Sequence, residues 1–164
     1  MNTKTITQTG LLLGVALAVQ SFHLPTYITG PAINAVLIVA AVFPGILGGV
    51  FLGCLTPLAA LMMGIVHPIA VPLVPVIMAA NTILVTVFYF LRRKNEYVAL
   101  LAAAFSKYLI FYISVNYLLS LFGIKIPIPL LTAFQLPQLF TALVGGGIGM
   151  VIIKYLEKVH QQRS

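Results

Sequence analysis

The side chain best suited to chemistry is Lys107, which stands inside an apolar stretch, residues 97–122. It follows Glu96 by 11 residues, so a helix that begins there carries it about 16 Å along its axis. At that depth in a bilayer an ammonium costs roughly 2.5–3.5 kcal/mol. We therefore expect Lys107 to face the interior of a bundle and to hold a partner, with a weak preference for an anionic one. The alternative is a lysine that snorkels to the surface or is buried in neutral form.

Asn81 is the expected neighbour of this lysine. It precedes Arg92 by 11 residues, and only a short loop, residues 92–96, separates the two apolar stretches. Helices joined by so short a loop pack as antiparallel neighbours, which places Asn81 and Lys107 at nearly the same depth. The Asn81 carbonyl could then accept a hydrogen bond from the ammonium. The alternative is an asparagine that joins two membrane helices.

Further polar side chains follow at helical spacing. Tyr108, Tyr112 and Asn116 are four residues apart and form one ribbon, although Lys107 lies about 100° around the helix from Tyr108. The alternative for the ribbon is a belt of interfacial tyrosines. We count all three as candidate binding residues.

The last apolar segment carries two more candidates, Gln135 and Gln138, on either side of Pro137, which fits the first turn of a helix. The GGGIG run, residues 145–149, lacks the Lys-Ser/Thr of a phosphate loop, and we interpret it as a close helix-packing surface.

The segment HLPTYITGPAINAVL, residues 23–37, interrupts the apolar pattern with two prolines, Pro25 and Pro31. We expect the prolines to keep it out of both adjacent helices, and Tyr27 and Asn34 to offer hydrogen bonds. One interpretation is a gate, residues 24–34, over an outward-facing pocket. The other is a plain turn between two helices.

The acidic residues limit the chemistry. The chain has only two, Glu96 and Glu157, and its single cysteine is Cys54. Carboxylate pairs, intramembrane acids and a Cys-His set are therefore absent, and we expect no enzymatic activity, no metal and no cofactor. His23 and His67 could bind haem or a metal, but interfacial histidines are the simpler interpretation.

Composition indicates the elements that position these residues. Of 164 residues, 61% are hydrophobic and 7% are charged, which is typical of an integral membrane protein. We predict an all-α fold with one transmembrane domain, residues 1–164, and about six helices. A Pro/Gly break at FPGILGG separates the second from the third. The predicted spans are 6–23, 32–47, 49–65, 71–91, 97–122 and 135–156.

The basic residues orient this bundle. Lys4, the group 92–94 and the C-terminal Lys154, Lys158 and Arg163 fall on one side of a six-helix arrangement. The positive-inside rule makes that side cytoplasmic, so both termini are predicted to be cytoplasmic. The net charge of +7 is thereby explained without nucleic acid, leaving membrane lipid as the surrounding partner.

A face of small residues marks the first helix. Gly10, Gly14 and Ala18 recur every four residues, and such a face allows close approach of another helix. The approaching helix could belong to this chain or to another subunit.

This plan resembles the S components of energy-coupling factor (ECF) transporters, which capture vitamins in prokaryotes. The resemblance rests on six helices, a cytoplasmic N-terminus, the small-residue face, the stretch FPGILGGVFLGCLTPLAALMMG and the asparagine in the fourth helix. It implies an outward-facing pocket for a micronutrient, and docking through Gly14 and Ala18, where the family usually has Ala-x-x-x-Ala. It also implies a transmembrane coupling subunit, two ATPase subunits, delivery by tilting, and location in a prokaryotic plasma membrane.

Two other functions stay open at this point. One is a membrane haem or redox subunit that uses His23 and His67, and the other is a small channel or assembly subunit. The sequence does not identify the substrate.

Overall fold

A computed structural model of the chain describes residues 2–66, 68–118, 123, 127–128, 132 and 134–162. These residues form no strand, which confirms the all-α prediction, and they contain six α-helices of 17 residues or more. A 3₁₀ segment (Pro68–Leu73) precedes the fourth helix, and a π-helical turn (Ser114–Leu118) follows the fifth. The helices are α1 (Thr3–Ser21), α2 (Thr26–Val42), α3 (Gly45–Met62), α4 (Val74–Leu91), α5 (Glu96–Ile113) and α6 (Leu136–Gln161).

Local chemistry sets several of the helix ends. The Asn2 side chain caps α1, and the Asn95 side chain caps α5 by accepting hydrogen bonds from two backbone N–H groups. Between α2 and α3 the chain turns at Pro44 and at Gly45, whose φ of 78° is readily adopted only by glycine. The break predicted at FPGILGG is therefore confirmed.

The second helix was predicted as 32–47, with residues 24–31 outside it, and this boundary is wrong. Only residues 22–25 connect α1 to α2, with His23 in the left-handed conformation at φ 50°, and α2 begins at Thr26. Pro25 occupies the N-cap position of α2, and Pro31 lies inside the helix. Proline is tolerated there because it removes one hydrogen bond near the end of a helix that neighbouring helices support.

Other predicted boundaries move by a few residues. The fifth span was predicted to reach residue 122, but α5 ends at Ile113 in the π-helical turn, and residues 119–122 lie outside the described part of the chain. The sixth span, predicted as 135–156, extends to Gln161 in α6, and Pro137 does stand in its first turn.

In the part of the chain that the structure describes, four stretches are long and apolar enough to cross a membrane: Gly45–Met62, Pro68–Leu91, Glu96–Tyr117 and Leu136–Gln161. Helix α2 is apolar but has only 17 residues. These stretches make the protein membrane-embedded. The count of six crossings and the cytoplasmic side of both termini stay predictions.

Close packing orients the helices. Two glycines of α6 lie against α2: a Cβ at Gly145 would overlap the Pro31 carbonyl, and one at Gly149 would lie 2.9 Å from the Ala35 carbonyl oxygen. The two helices therefore run parallel in close contact, and the packing role predicted for the GGGIG run is confirmed. Helix α4 lies against both α3 and α5, and the main apolar core draws buried residues from α2 through α6.

The bundle has a basic end, where α1 begins and where α4 and α6 finish. Two ion pairs tie α6 to its neighbours there. Arg92 contacts Glu157 at 3.5 Å, and Lys154 contacts Glu96 while also lying over the Tyr97 ring. The opposite end contains the end of α1 and the start of α2, and we call it the cavity end.

Candidate functional site

Lys107 lies in the interior of the bundle, where 3% of its surface is exposed. Its Nζ donates hydrogen bonds to Asn34 Oδ1 at 2.6 Å and to Asn81 Oδ1 at 2.8 Å. The interior position expected from the sequence is therefore confirmed, as is the hydrogen bond to Asn81. The snorkelling alternative does not fit this geometry.

The two asparagines orient the ammonium because each uses both ends of its amide. Asn34 Nδ2 donates to Thr141 Oγ1 of α6 at 3.4 Å, and Asn81 Nδ2 donates to the Gly53 carbonyl of α3 at 3.2 Å. The amide oxygens are thereby directed at Lys107. Asn81 serves both predicted roles at once, since it accepts from the lysine and joins two helices.

The charge of Lys107 has no counter-charge among the side chains of this protein. The two glutamates of the sequence are Glu96 and Glu157, and both form ion pairs at the basic end. An ammonium has three N–H donors, and the two asparagine oxygens account for two of them. The protonated form of Lys107 therefore leaves one donor, and a charge with no partner among the side chains of the protein, for a ligand.

A cavity of about 340 Å³ lies at the cavity end and has Lys107 in its wall. Its volume falls at the lower end of the roughly 300–1,000 Å³ that is typical of small-molecule sites. The walls combine polar side chains with aliphatic ones from all six helices and from the segments between them. The described lining residues are Gln20, His23, Leu24, Thr26, Thr29, Gly30, Ile33, Asn34, Thr56, Pro57, Ala60, Ile65, Val66, Ile77, Asn81, Lys107, Phe134 and Gln138.

Four of the nine candidate binding residues line this cavity: Lys107, Asn81, Asn34 and Gln138. Asn34 does so from the third turn of α2 and not from a loop. The other five do not line the cavity, and any contact of theirs with a ligand stays a prediction. They are Tyr27, Tyr108, Tyr112, Asn116 and Gln135.

The predicted polar ribbon of α5 exists, but it lies on another face. The Tyr108 and Tyr112 rings are 5.9 Å apart, and Asn116 Nδ2 donates to the Tyr112 carbonyl at 2.7 Å. The angle of about 100° between successive residues separates this ribbon from Lys107. Tyr27, at the start of α2, is 72% exposed.

Gln20 is a cavity residue that sequence reasoning missed. Its Oε1 is buried and accepts no hydrogen bond from any described residue. A buried amide oxygen without a partner is unusual in a folded protein, and here it belongs to a residue that lines the cavity. The signal in the sequence was a glutamine in the last turn of an otherwise apolar helix. Thr56 was also missed, but its hydroxyl donates to the Leu52 carbonyl at 2.5 Å.

His23 lines the cavity, and its Nδ1 lies 2.8 Å from the Ser21 carbonyl oxygen. His67 lies outside the described residues, so the predicted histidine pair has no geometry to report. Within the part of the chain that the structure describes, no three His, Cys, Asp or Glu side chains come together as a metal site would require.

The small-residue face of α1 is exposed along its length, at Gly10, Gly14 and Ala18. A Cβ added at Gly10 or at Gly14 would meet no described atom within 4 Å. The sequence left open whether the helix that packs on this face belongs to this chain or to another subunit. Among the described residues, no helix of this chain packs against Gly10 or Gly14.

Residues 4–157 match the family model described as ECF transporter, substrate-specific component. Neither curated proteins nor solved structures give a significant match. Because the match covers most of the chain, the protein belongs to this family. It is a transporter subunit that acts on a small-molecule substrate together with coupling and ATPase subunits.

Proposed function

We propose that this ECF substrate-specific component captures a vitamin or related micronutrient in the cavity beside Lys107. The cavity end faces the outside of a prokaryotic plasma membrane, and the basic end faces the cytoplasm. The substrate binds from outside. It is released inside when the subunit, docked on a transmembrane coupling subunit and two ATPase subunits, tilts in the membrane.

The uncompensated ammonium of Lys107 is the observation that carries this proposal. A lysine at this depth is costly, and an aliphatic residue would fill the same volume at no such cost. Two asparagines hold the ammonium without cancelling its charge, at 2.6 and 2.8 Å. A buried charge that is oriented but left unpaired is suited to a ligand group of opposite sign.

The proposed binding set is small and mostly pre-formed. Lys107 and the amides of Asn34 and Asn81 recognise the polar group of the substrate, and Gln138 contributes from the first turn of α6. Because hydrogen bonds to three helices already fix the two asparagines, substrate binding costs little further ordering.

Two surface properties support docking and tilting. The face formed by Gly10, Gly14 and Ala18 is exposed and flat enough for a helix of the coupling subunit to approach closely. The rest of the membrane surface is apolar, with exposed side chains such as Leu47 and Val144. An apolar surface keeps the cost of changing the tilt low.

The test is native mass spectrometry of the full chain, purified gently from cells that also express the coupling and ATPase subunits. The wild-type protein is expected to carry a small molecule and to bring both ATPase subunits with it. Lys107→Met should lose the small molecule and keep the subunits. Lys94→Met, which removes an exposed lysine at the basic end, is the matched control.

Equal occupancy by the same molecule in wild type and Lys107→Met would show that the lysine is not the binding group. A wild-type protein that neither carries a small molecule nor associates with the ATPase subunits would contradict the proposed function as a whole.

A further inference from the structure

We infer that the substrate is an elongated monoanion, with one carboxylate at Lys107, a mainly aliphatic body and a hydrogen-bond donor at its other end that reaches Gln20. This inference rests on the proposed function and specifies the ligand of the same cavity. Charge, hydrogen-bonding partners and wall composition each restrict the ligand separately.

The charge of the ligand follows from the lining. Lys107 is the only Lys, Arg, Asp or Glu among the described lining residues. One negative charge on the ligand would neutralise it, and a carboxylate oxygen could take the third N–H that the two asparagines leave. A second negative charge would find no cationic partner among the described lining residues, and a cation would be repelled by Lys107. A monoanion is therefore the best match.

The hydrogen-bond donor that we expect on the ligand is inferred from the unpartnered amide oxygen of Gln20. Its Oε1 is buried in the cavity wall, and no described residue donates to it. The cost of that orphan acceptor is relieved by a ligand O–H or N–H, and an aliphatic end leaves it unrelieved. The acceptor and the ammonium belong to different helices, α1 and α5, so the ligand needs two separated polar groups.

The length of the ligand follows from α2. Thr26, at its first turn, and Asn34, which contacts Lys107, both line the cavity and are eight residues apart. That spacing corresponds to about 12 Å along the helix axis. A chain of roughly eight to ten heavy atoms spans this distance. It also suits the cavity volume of about 340 Å³.

The aliphatic character expected of the ligand is inferred from the residues that form the side walls of the cavity. These are formed by aliphatic residues such as Ile33, Pro57 and Ile77. Among the described lining residues the only rings besides the prolines are those of His23 and Phe134, and Phe134 already packs on Phe111 with a centroid distance of 5.5 Å. Among these described residues, a flat aromatic ligand would find no pair of rings to stack between. A flexible aliphatic chain would contact these walls along its length.

A matched series of probes tests each element separately. The full chain in lipid nanodiscs is titrated calorimetrically with omega-hydroxyoctanoate, octanoate, octanedioate, octane diol and naphthoate. The hydroxy acid is expected to bind at least tenfold more tightly than the diol, which lacks the charge, and than the diacid, which carries a second one. Octanoate, without the donor, should bind several-fold more weakly than the hydroxy acid.

Two variants test which side chain causes each of these differences in affinity. Lys107→Met should remove the advantage of the hydroxy acid over the diol. Gln20→Leu should remove its advantage over octanoate. The matched controls are Lys94→Met and Gln8→Leu, which alter the same residue types away from the cavity.

Tighter binding of the diacid or of naphthoate, no binding by any member of the series, or a Gln20→Leu variant that still distinguishes hydroxy acid from octanoate would each overturn the inference. A failure of this inference can be distinguished from a failure of the proposed function. If the molecule recovered from cells is a cation, a dianion or a fused aromatic whose retention depends on the cavity, the capture function stands and the monoanion does not.

Discussion

Replacing Asn34 by aspartate tests the uncompensated ammonium directly. The side chain is 2% exposed, and its Oδ1 lies 2.6 Å from Lys107 Nζ. Asn34→Asp keeps the shape of the side chain and supplies a carboxylate, a group that no other described residue places near the lysine. The new carboxylate therefore pairs with the Lys107 ammonium from within the protein, and the cavity keeps the same size.

The expected changes in folding and binding differ in size. At about 3 Å and an effective dielectric constant of about 20, the new ion pair gains on the order of 5–6 kcal/mol. Desolvation of the carboxylate costs several kcal/mol. Loss of the hydrogen bond to Thr141 costs a further ~0.5–1.5 kcal/mol. Folding stability should therefore change by no more than about 2 kcal/mol.

Binding of an anionic ligand should weaken far more. Its carboxylate would share the ammonium with a like charge about 4 Å away, a repulsion of about 4 kcal/mol at the same dielectric constant. Since about 1.4 kcal/mol corresponds to a factor of ten, the affinity for omega-hydroxyoctanoate should fall at least 100-fold. The affinity for octane diol should change by less than about threefold, because it carries no charge.

Thermal unfolding and calorimetric titration of Asn34→Asp in nanodiscs measure both quantities on one preparation. Asn95→Asp is the matched control, because aspartate also caps a helix and Asn95 lies at the basic end. If Asn34→Asp folds and binds the hydroxy acid as tightly as wild type does, the ligand does not contact Lys107 and the charge argument is refuted.

Three further predictions concern packing, docking and the basic end. Gly145→Ala should destabilise the fold by about 1–3 kcal/mol because the new methyl group meets the α2 backbone, whereas Gly147→Ala, with open space around it, should leave the unfolding temperature unchanged or raise it slightly, because alanine favours the helix. Gly14→Leu should abolish co-purification of the ATPase subunits without changing the unfolding temperature; retained co-purification would place the docking face elsewhere. Lys154→Met, which removes a partly exposed ion pair with Glu96, should leave both the unfolding temperature and the ligand affinity nearly unchanged.

The contact between Lys107 and Asn81 could be predicted because helical rise converts sequence distance into depth. Both residues are 11 positions from the short loop between α4 and α5, and antiparallel packing brings equal depths together. No such loop connects Asn34 to Lys107, since α2 and α5 are distant in sequence. That pairing depends on how the bundle closes, and local spacing carries no information about it.

The segment after α1 shows where local rules gave the wrong answer. Pro31 was expected to end a helix, but helix propensity is a weak preference, and packing of α2 against α6 outweighs one lost hydrogen bond. The break at Pro44 could be predicted because a proline followed by a glycine favours a turn. The structure agrees, since Gly45 adopts a positive φ there. Gln20 was overlooked because a single glutamine near a helix end is common, and only the folded structure shows its oxygen to be unpartnered.

The hydrogen bonds of Lys107 join α5 to four other helices. The Asn34 amide connects it to α2 and α6, and the Asn81 amide connects it to α4 and α3. Among the described residues, the side-chain hydrogen bonds of α1 stay within that helix, while Gln20 near its end lines the cavity and has an unpartnered Oε1. A ligand held by Lys107 that also satisfies Gln20 would therefore extend the network to α1. Since α1 carries the exposed small-residue face, the same contact that selects the ligand would fix the position of the helix on which docking is proposed.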